Sequence, residues 1–221
     1  MSITLQPFIA SWPFLLKAVW ITLLVSVLSM LLGFAIGVVV GSLRTYGGRT
    51  ADIVLGLYVD TMRSIPLLVV LVWMFFALPL LTGVSLNAIT AAIGGLGVHL
   101  GAYIAETIRA GLLSVRKGQL AAALALGMSR LQAIRTIILP QALIRMLPAL
   151  GSLFVFAVKD SAIASVIAVP EILRQTQVVA GNTYRPFELY TGAMIVYFLL
   201  CYPVARGVDR LYRRVAHLGS S

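Results

Sequence analysis

Charged side chains are scarce in this chain. They make up 11% of its 221 residues, whereas a soluble domain carries about 25%. Hydrophobic residues supply 60%, and the mean hydropathy is +1.00. This number of charges is too small to cover a water-exposed surface. The composition therefore excludes an ordinary soluble protein and indicates a lipid bilayer as the surroundings.

Residues and motifs that support catalysis are also missing. Cys201 is the single cysteine, which excludes an intramolecular disulfide. With only one cysteine and two histidines in the chain, we expect no metal site. The chain has no Gly-x-x-x-x-Gly-Lys-Ser/Thr loop to hold ATP phosphates and no Gly-x-Ser-x-Gly nucleophile motif. We therefore expect no catalytic residues, no metal and no cofactor bound by this chain, and we do not expect an enzyme.

Long uncharged runs predict membrane-spanning helices. Residues 18–40 are uncharged over 23 positions, which exceeds the roughly 20 needed for one crossing. Residues 65–105 are uncharged over 41 positions, enough for two crossings with a break at "LPLLTGVSLN". Residues 146–158 predict a fourth helix that begins near Pro140.

The last uncharged run, residues 189–205, predicts a fifth helix that begins at Pro186 with Glu188 in its first turn. Five crossings give an all-α, polytopic membrane protein whose two ends lie on opposite sides. Twelve of the seventeen basic residues follow the first, third and fifth spans. The positive-inside rule then predicts an external N-terminus and a cytoplasmic C-terminus. This one-sided distribution of basic residues accounts for the net charge of +10, so no nucleic-acid partner is expected.

The stretch "AAALALGMSRLQAIRTIILPQALIR", Ala121 to Arg145, lies between two of these runs and looks amphipathic. Its alanines and leucines favour helix, Gly127 interrupts it, and Ser129 can cap a second helix. We therefore expect two short helices joined at a glycine. Such a segment lies on lipid headgroups or docks into a groove of a soluble partner, and composition does not separate the two interpretations.

The longer stretch "GQLAAALALGMSRLQAIRTIILPQALIRMLPAL" resembles the EAA loop of bacterial ABC importer permeases. That loop reads Glu-Ala-Ala, three residues, Gly, nine residues, Ile-x-Leu-Pro. The matching positions are Ala122, Ala123, Gly127, Ile137, Leu139 and Pro140. Ala121 stands where the family has glutamate. The resemblance implies that this stretch is the coupling helix, which seats in a cleft of a separate ATPase subunit.

Other segments resemble permeases for polar amino acids in particular. They are "YVDTMRSIPLLVVL", "GAYIAETIRAGLLSVRKGQ" and "VKDSAIASVIAVPEIL", in the family's order. The resemblance implies a type I ABC importer permease fold, with residues 1–221 as one transmembrane domain and residues 118–140 as its coupling loop. The implied ATPase contacts are Ala121, Ala122, Ala123, Gly127, Met128, Ser129, Arg130, Leu139 and Pro140.

The resemblance also implies partners and a location. The expected partners are an identical or similar permease, two ATPase subunits that hold ATP and magnesium, and an external solute-binding protein. The location is a bacterial inner membrane, and the cargo is a small polar amino acid. "RSIPLLVVLVW" and "AALALGM" are most similar to permeases for glutamate and aspartate. The alternative is an ion-coupled transporter or a channel subunit, because charges at membrane depth serve those proteins too.

Ionisable residues near membrane depth need a partner or a task. Asp60 and Arg63 are spaced i, i+3, as are Glu106 and Arg109, so each pair can form an internal ion pair or line a substrate path. Lys159 and the adjacent Asp160 point about 100° apart on a helix and cannot pair simply with each other. The candidates for the path or its gate are Arg63, Pro66, Glu106, Arg109, Lys159, Asp160, Ser161 and Glu171.

Four glycines in "IGGLGVHLG" give the third span a thin face. Small residues let helices approach closely in lipid, so this face predicts helix packing or a dimer contact. His99 lies in the same run and is expected to be a hydrogen-bonded polar group rather than a ligand.

Overall fold

The computed structural model describes residues 12–215, which are almost entirely helical and contain no strand. The helices are α1 (Trp12–Tyr46), α2 (Gly48–Ser64), α3 (Leu67–Thr82), α4 (Ala88–Leu113), α5 (Lys117–Ala125), α6 (Arg130–Ile167), α7 (Ile172–Thr183) and α8 (Pro186–Val215). The predicted all-α class is confirmed. The N-terminus itself lies outside the described residues.

Helix α4 is the centre of the structure and packs along α1 through small residues. A Cβ atom on Gly37 would lie 2.4 Å from Ile104 Cγ2, and one on Gly41 would lie 2.5 Å from the Ala105 carbonyl oxygen. Glycine is therefore required where the two helices touch. On α4, Gly97 lies against Leu32 of α1, so the thin face serves packing within this chain.

The same contacts give the helix directions. Residue numbers rise together along α1 and α4, from Gly37 beside Ile104 to Gly41 beside Ala105 and Ile108, so the two helices are parallel. Helix α6 is antiparallel to α4, because Met146 packs on Gly111 near the end of α4, whereas Asp160, later in α6, lines a cavity with His99, earlier in α4. Helix α8 is in turn antiparallel to α6.

Parallel α1 and α4 require an odd number of crossings between them. Helices α2 and α3 are bent by 104° relative to each other and together pass the length and hydropathy test for one span. The bent pair therefore crosses once, which confirms five crossings. The start of α1 and the end of α8 lie on opposite faces.

The bend between α2 and α3 follows from Pro66. A proline disfavours helical conformation in the residue before it, and Ile65 is extended with ψ 131°. The second crossing was predicted to begin at Ile65, which left out α2, a helix too polar to appear as an uncharged run. The predicted break after this span is confirmed, because Gly83 ends α3 with φ 72° and Asn87 caps α4.

The fourth span differs from the prediction. Helix α6 begins at Arg130 rather than near Pro140, so the second of the two expected short helices is the first part of the span itself. A π-helical turn at Ile134–Ile138 comes directly before Pro140. Such a turn accommodates the ring and the missing N–H of a proline inside a continuous helix. The fifth helix begins at Pro186 with Glu188 in its first turn, as predicted.

Candidate functional site

Two adjoining cavities lie along α4 and α6. Their walls are mostly apolar but contain charged and polar side chains, so we call them the polar cavities. The larger, of about 410 Å³, is lined by Arg63, Glu106 and Arg145, among other residues. The smaller, of about 260 Å³, is lined by His99, Asp160 and four other residues. Tyr103 and Leu153 line both. The two cavities therefore adjoin along the α4–α6 pair.

A cluster of charges ties three helices together beside the larger cavity. Arg109 Nε lies 3.3 Å from a Glu106 carboxylate oxygen, which confirms the pair predicted from the i, i+3 spacing. Arg44 of α1 donates to the other oxygen of Glu106 at 2.9 Å and to Asp52 of α2 at 3.1 Å. The side chain of Arg44 is only 10% exposed, so its charge depends on both carboxylates.

For Asp60 and Arg63, the ion pair is wrong, whereas the alternative of lining a path stays open for Arg63. Asp60 and Arg63 form no ion pair in the described part of the chain, and both side chains are exposed. The Arg63 guanidinium lies instead over the Tyr103 ring of α4, 5.6 Å from its centroid. An aromatic face attracts a cation, so this contact across helices replaces the local one.

Lys159 and Asp160 face different surroundings, as their angular separation predicts. Asp160 lines the smaller cavity with His99. The ammonium of Lys159 lies 6.0 Å from the Phe156 ring centroid and lines a separate cavity beside Asp209 of α8. Ser161 lines neither polar cavity. It is fully buried and donates to the Val158 carbonyl at 2.8 Å.

His99 is not the hydrogen-bonded group that was expected. It is 7% exposed, and its Nδ1 atom is shielded without a hydrogen-bond partner among the described residues. Its ring is tilted against Tyr103 at 5.3 Å between centroids. A buried nitrogen without a hydrogen-bond partner is costly. This wall of the smaller cavity therefore contains an unsatisfied hydrogen-bonding group.

Glu171 joins three helices in the connection between α6 and α8. It is fully buried and caps α7, accepting from the backbone N–H groups of Leu173 at 2.8 Å and Arg174 at 2.6 Å. The Tyr197 hydroxyl of α8 donates to it at 2.6 Å, and the adjacent Ile172 N–H donates to Thr22 of α1 at 3.2 Å. Burial raises the pKa of this carboxyl, while the hydrogen bonds oppose the rise.

The coupling segment, residues 118–140, has the bent shape that the sequence predicts. Helix α5 ends before Gly127, which has a left-handed φ of 83°. The Ser129 hydroxyl accepts from the Gln132 N–H at 3.2 Å, and the Gln132 side chain accepts from the Ser129 N–H at 2.9 Å. This reciprocal pair is a capping box and fixes the start of α6.

The predicted ATPase contacts divide into an exposed and an inner group. The exposed ones are Ala121, Ala122, Gly127, Ser129, Arg130, Leu139 and Pro140. Ala123 is buried, and Met128 is half-buried with its N–H donating to the Ala123 carbonyl at 3.1 Å. Leu126, which was not predicted, is 83% exposed.

Several residues of the site escaped the sequence analysis. Gln141 donates to Gln119 at 2.6 Å and so holds the coupling segment against α6. Neither glutamine carries a sequence signal for this contact. A signal did exist on α4, where His99, Tyr103 and Thr107 recur every four residues and form a polar stripe on one helix face.

The family model described as "Binding-protein-dependent transport system inner membrane component" matches residues 33–217. The chain belongs to this family. It is 36% identical over 204 residues to the glutamine transport system permease protein of Escherichia coli (strain K12), covering 92% of this chain and 93% of that protein. It is 34% identical over 209 residues to a probable amino-acid ABC transporter permease of Bacillus subtilis (strain 168), covering 95% and 92%.

Solved structures of the family have the same fold. The crystal structure of an amino acid ABC transporter with histidines superimposes with a TM-score of 0.90 at 31% identity, covering 97% of this chain and 100% of that one. An inward-facing MetNI methionine ABC transporter gives a TM-score of 0.80 at 28% identity, covering 93% and 98%. The resemblance to ABC importer permeases of the polar amino acid type is confirmed.

Proposed function

We propose that this chain is the permease subunit of a bacterial inner-membrane ABC importer and forms half of the path of a polar amino acid. The observation that carries the proposal is the course of α6. This helix begins at the Ser129 cap inside the coupling segment and reaches Asp160 in the smaller polar cavity. Its 31 residues from Arg130 to Asp160 span roughly 45 Å. A displacement at one end is therefore carried to the other.

The order of charges along the two cavities suits a zwitterion. Asp160 offers a carboxylate in the smaller cavity, and Arg63 offers a guanidinium in the larger one. The Tyr103 ring lies between them and lines both. We infer that the substrate ammonium is attracted towards Asp160 and its α-carboxylate towards Arg63. His99, with its unpartnered nitrogen, lies where a side-chain amide or carboxylate would pass.

The relatives bear on the choice of amino acid. The motif resemblance favoured glutamate and aspartate, and the compared proteins give this preference no support. The relative from Escherichia coli is a glutamine transport system permease, so we propose glutamine as the first substrate to test. Lys159, Glu171 and Ser161 then have supporting roles, because none of them lines the two polar cavities.

The proposed assembly rests on membership of the permease family. A second permease, identical or similar, completes the path, and two ATPase subunits bind ATP and magnesium. They contact the exposed face of the coupling segment around Ala122 and Leu126. The basic face is cytoplasmic by the positive-inside rule, which places the external solute-binding protein on the opposite face.

Reconstitution in proteoliposomes tests the function. The chain with its ATPase subunit and its external binding protein is expected to take up labelled glutamine only with internal ATP. Parallel uptake of glutamate and aspartate measures selectivity. Uptake by the permease alone, driven by an ion gradient, would overturn the proposal in favour of an ion-coupled transporter.

The coupling role is tested separately at Gly127. A Cβ there meets open space, but its φ of 83° is strained for a β-branched residue. Gly127→Val should distort the bend and lower transport and ATPase stimulation together, while the chain still inserts. Gly118→Ala, in the same segment with open space and an ordinary φ, is the matched control. Normal coupling in Gly127→Val would contradict the assignment of this segment.

A further inference from the structure

An apolar groove lies on the opposite side of the α4–α6 pair from the polar cavities. We name it the α1–α6 groove. It has a volume of about 390 Å³ and is formed by α1, α4 and α6. On α4, Ile108 and Leu112 line this groove, whereas Glu106 and Ala110 line the larger polar cavity. Met146 lines both the groove and the larger polar cavity, so this buried side chain forms the wall between them.

The two ends of the groove differ in polarity. Phe34 and Leu150 line one end, and Ser42, Tyr46 and Arg135 line the end at the basic face. The Arg135 side chain is exposed and makes no ion pair or hydrogen bond within the described residues. The groove thus ends in a cation that none of residues 12–215 neutralises.

Further positive charge lies near this end. Arg130 is the first residue of α6, little more than one turn before Arg135. Both arginines belong to the first turns of α6, on the face where most of the basic residues of the chain lie. Basic pockets between membrane helices on this face are suited to anionic lipid headgroups.

The length of the groove matches one leaflet. Along α1, the lining runs from Phe34 to Tyr46, 12 residues apart, which corresponds to about 18 Å. The hydrocarbon core of a bilayer is about 30 Å thick, so one leaflet contributes about 15 Å. An acyl chain that starts at the basic face would lie along the apolar part and leave its headgroup beside Arg135.

We propose that the α1–α6 groove binds an anionic phospholipid of the leaflet at the basic face. The phosphate pairs with Arg135 and accepts a hydrogen bond from the Tyr46 hydroxyl, and one acyl chain lies along Val38 and Leu143. This site does not depend on the proposed function, because it makes no use of the polar cavities or of an ATPase.

Native mass spectrometry of the full chain tests the proposal. The protein is purified in detergent and exchanged into phosphatidylglycerol or phosphatidylcholine with the same acyl chains, and the lipid retained per chain is measured. We expect preferential retention of phosphatidylglycerol. Arg135→Gln should lower that retention about fivefold, since one basic residue near a membrane surface contributes on this scale. Retention of phosphatidylcholine should fall by less, because its choline cation already offsets the phosphate charge.

Two further variants make the test specific. Arg116→Gln removes an exposed charge that does not line the groove and should leave retention unchanged. Val38→Trp fills the groove and should lower retention of both lipids. Equal retention of the two lipids by the unaltered chain, or equal effects of Arg135→Gln and Arg116→Gln, would overturn the proposal.

Protein could cover the groove instead of lipid, and cross-linking decides this. Leu139→Cys, in a background where Cys201→Ser removes the single native thiol, places a probe on the groove wall. No cross-link to another permease chain in native membranes is expected. A disulfide between two copies at this position would show that a protein interface occupies the groove. That result would overturn the assignment of the groove to lipid.

Discussion

At the scale of single residues, Glu171 shows how one buried carboxylate can organise three helices. Its two oxygens accept from the first N–H groups of α7 and from the Tyr197 hydroxyl of α8. The neighbouring Ile172 N–H reaches Thr22 of α1. A carboxylate at a helix N-terminus also interacts favourably with the helix dipole. The connection between α6 and α8 is therefore held by hydrogen bonds to this carboxylate and to the residue beside it.

The protonation of Glu171 predicts a pH dependence of stability. Burial raises its pKa above the ordinary value of 4.5, so the folded chain binds this proton more tightly than the unfolded chain does. Its contribution is complete below pH 4.5 and is lost as the pH rises through the folded pKa. We expect the melting temperature of the unaltered chain to fall relative to that of Glu171→Gln between pH 4.5 and 8. Parallel curves for the two proteins would contradict this prediction.

Local spacing predicted part of this residue chemistry and missed the rest for a physical reason. The Glu106–Arg109 pair follows from helix geometry alone, so the sequence predicts it correctly. Arg44 reaches Glu106 from 62 positions away, and no local pattern encodes such a contact. The Asp60–Arg63 ion pair does not form for the same reason. The Tyr103 ring is far from Arg63 in sequence but lies against its guanidinium in the fold.

At the scale of elements, the packing of α1 on α4 depends on glycines that allow close contact. Hydrophobic runs predicted where these helices lie, because length and hydropathy are properties of the chain alone. They did not predict the π-helical turns at Trp73–Ala77 and Ile134–Ile138. These turns depend on how the backbone relieves the prolines that follow them.

Gly41 tests the contact between α1 and α4. A Cβ on this residue would lie 2.5 Å from the Ala105 carbonyl oxygen, a backbone atom that cannot rotate away. Gly41→Ala should therefore destabilise the chain by roughly 1–3 kcal/mol, although alanine favours helix. Gly207→Ala in α8 meets open space and should be neutral or slightly stabilising. Thermal unfolding in detergent measures both, and equal melting temperatures would refute the required close approach.

At the scale of the whole molecule, the path of the chain through the bilayer follows from helix directions rather than from hydropathy. Counting uncharged runs predicted five crossings. The run that contains the second crossing, however, begins at Ile65, in the middle of the bent span that α2 and α3 form together. The parallel contact of α1 with α4 decides that α2 and α3 cross once between them. This parity also brings Arg44 of α1 and Arg109 of α4 to the same face, where both contact Glu106.

Cysteine labelling in intact cells tests this parity. The variants Arg49→Cys, Ser85→Cys and Leu126→Cys place single thiols in exposed connections, in a Cys201→Ser background. Five crossings put positions 49 and 126 on one face and position 85 on the other. A membrane-impermeant thiol reagent should label Ser85→Cys in intact cells and the other two only after permeabilisation, because the basic face is proposed to be cytoplasmic. If α2 and α3 did not cross together, positions 49 and 85 would react alike and position 126 would differ from both. That pattern would require α1 and α4 to be antiparallel, against the direct contacts of Gly37 with Ile104 and of Gly41 with Ala105.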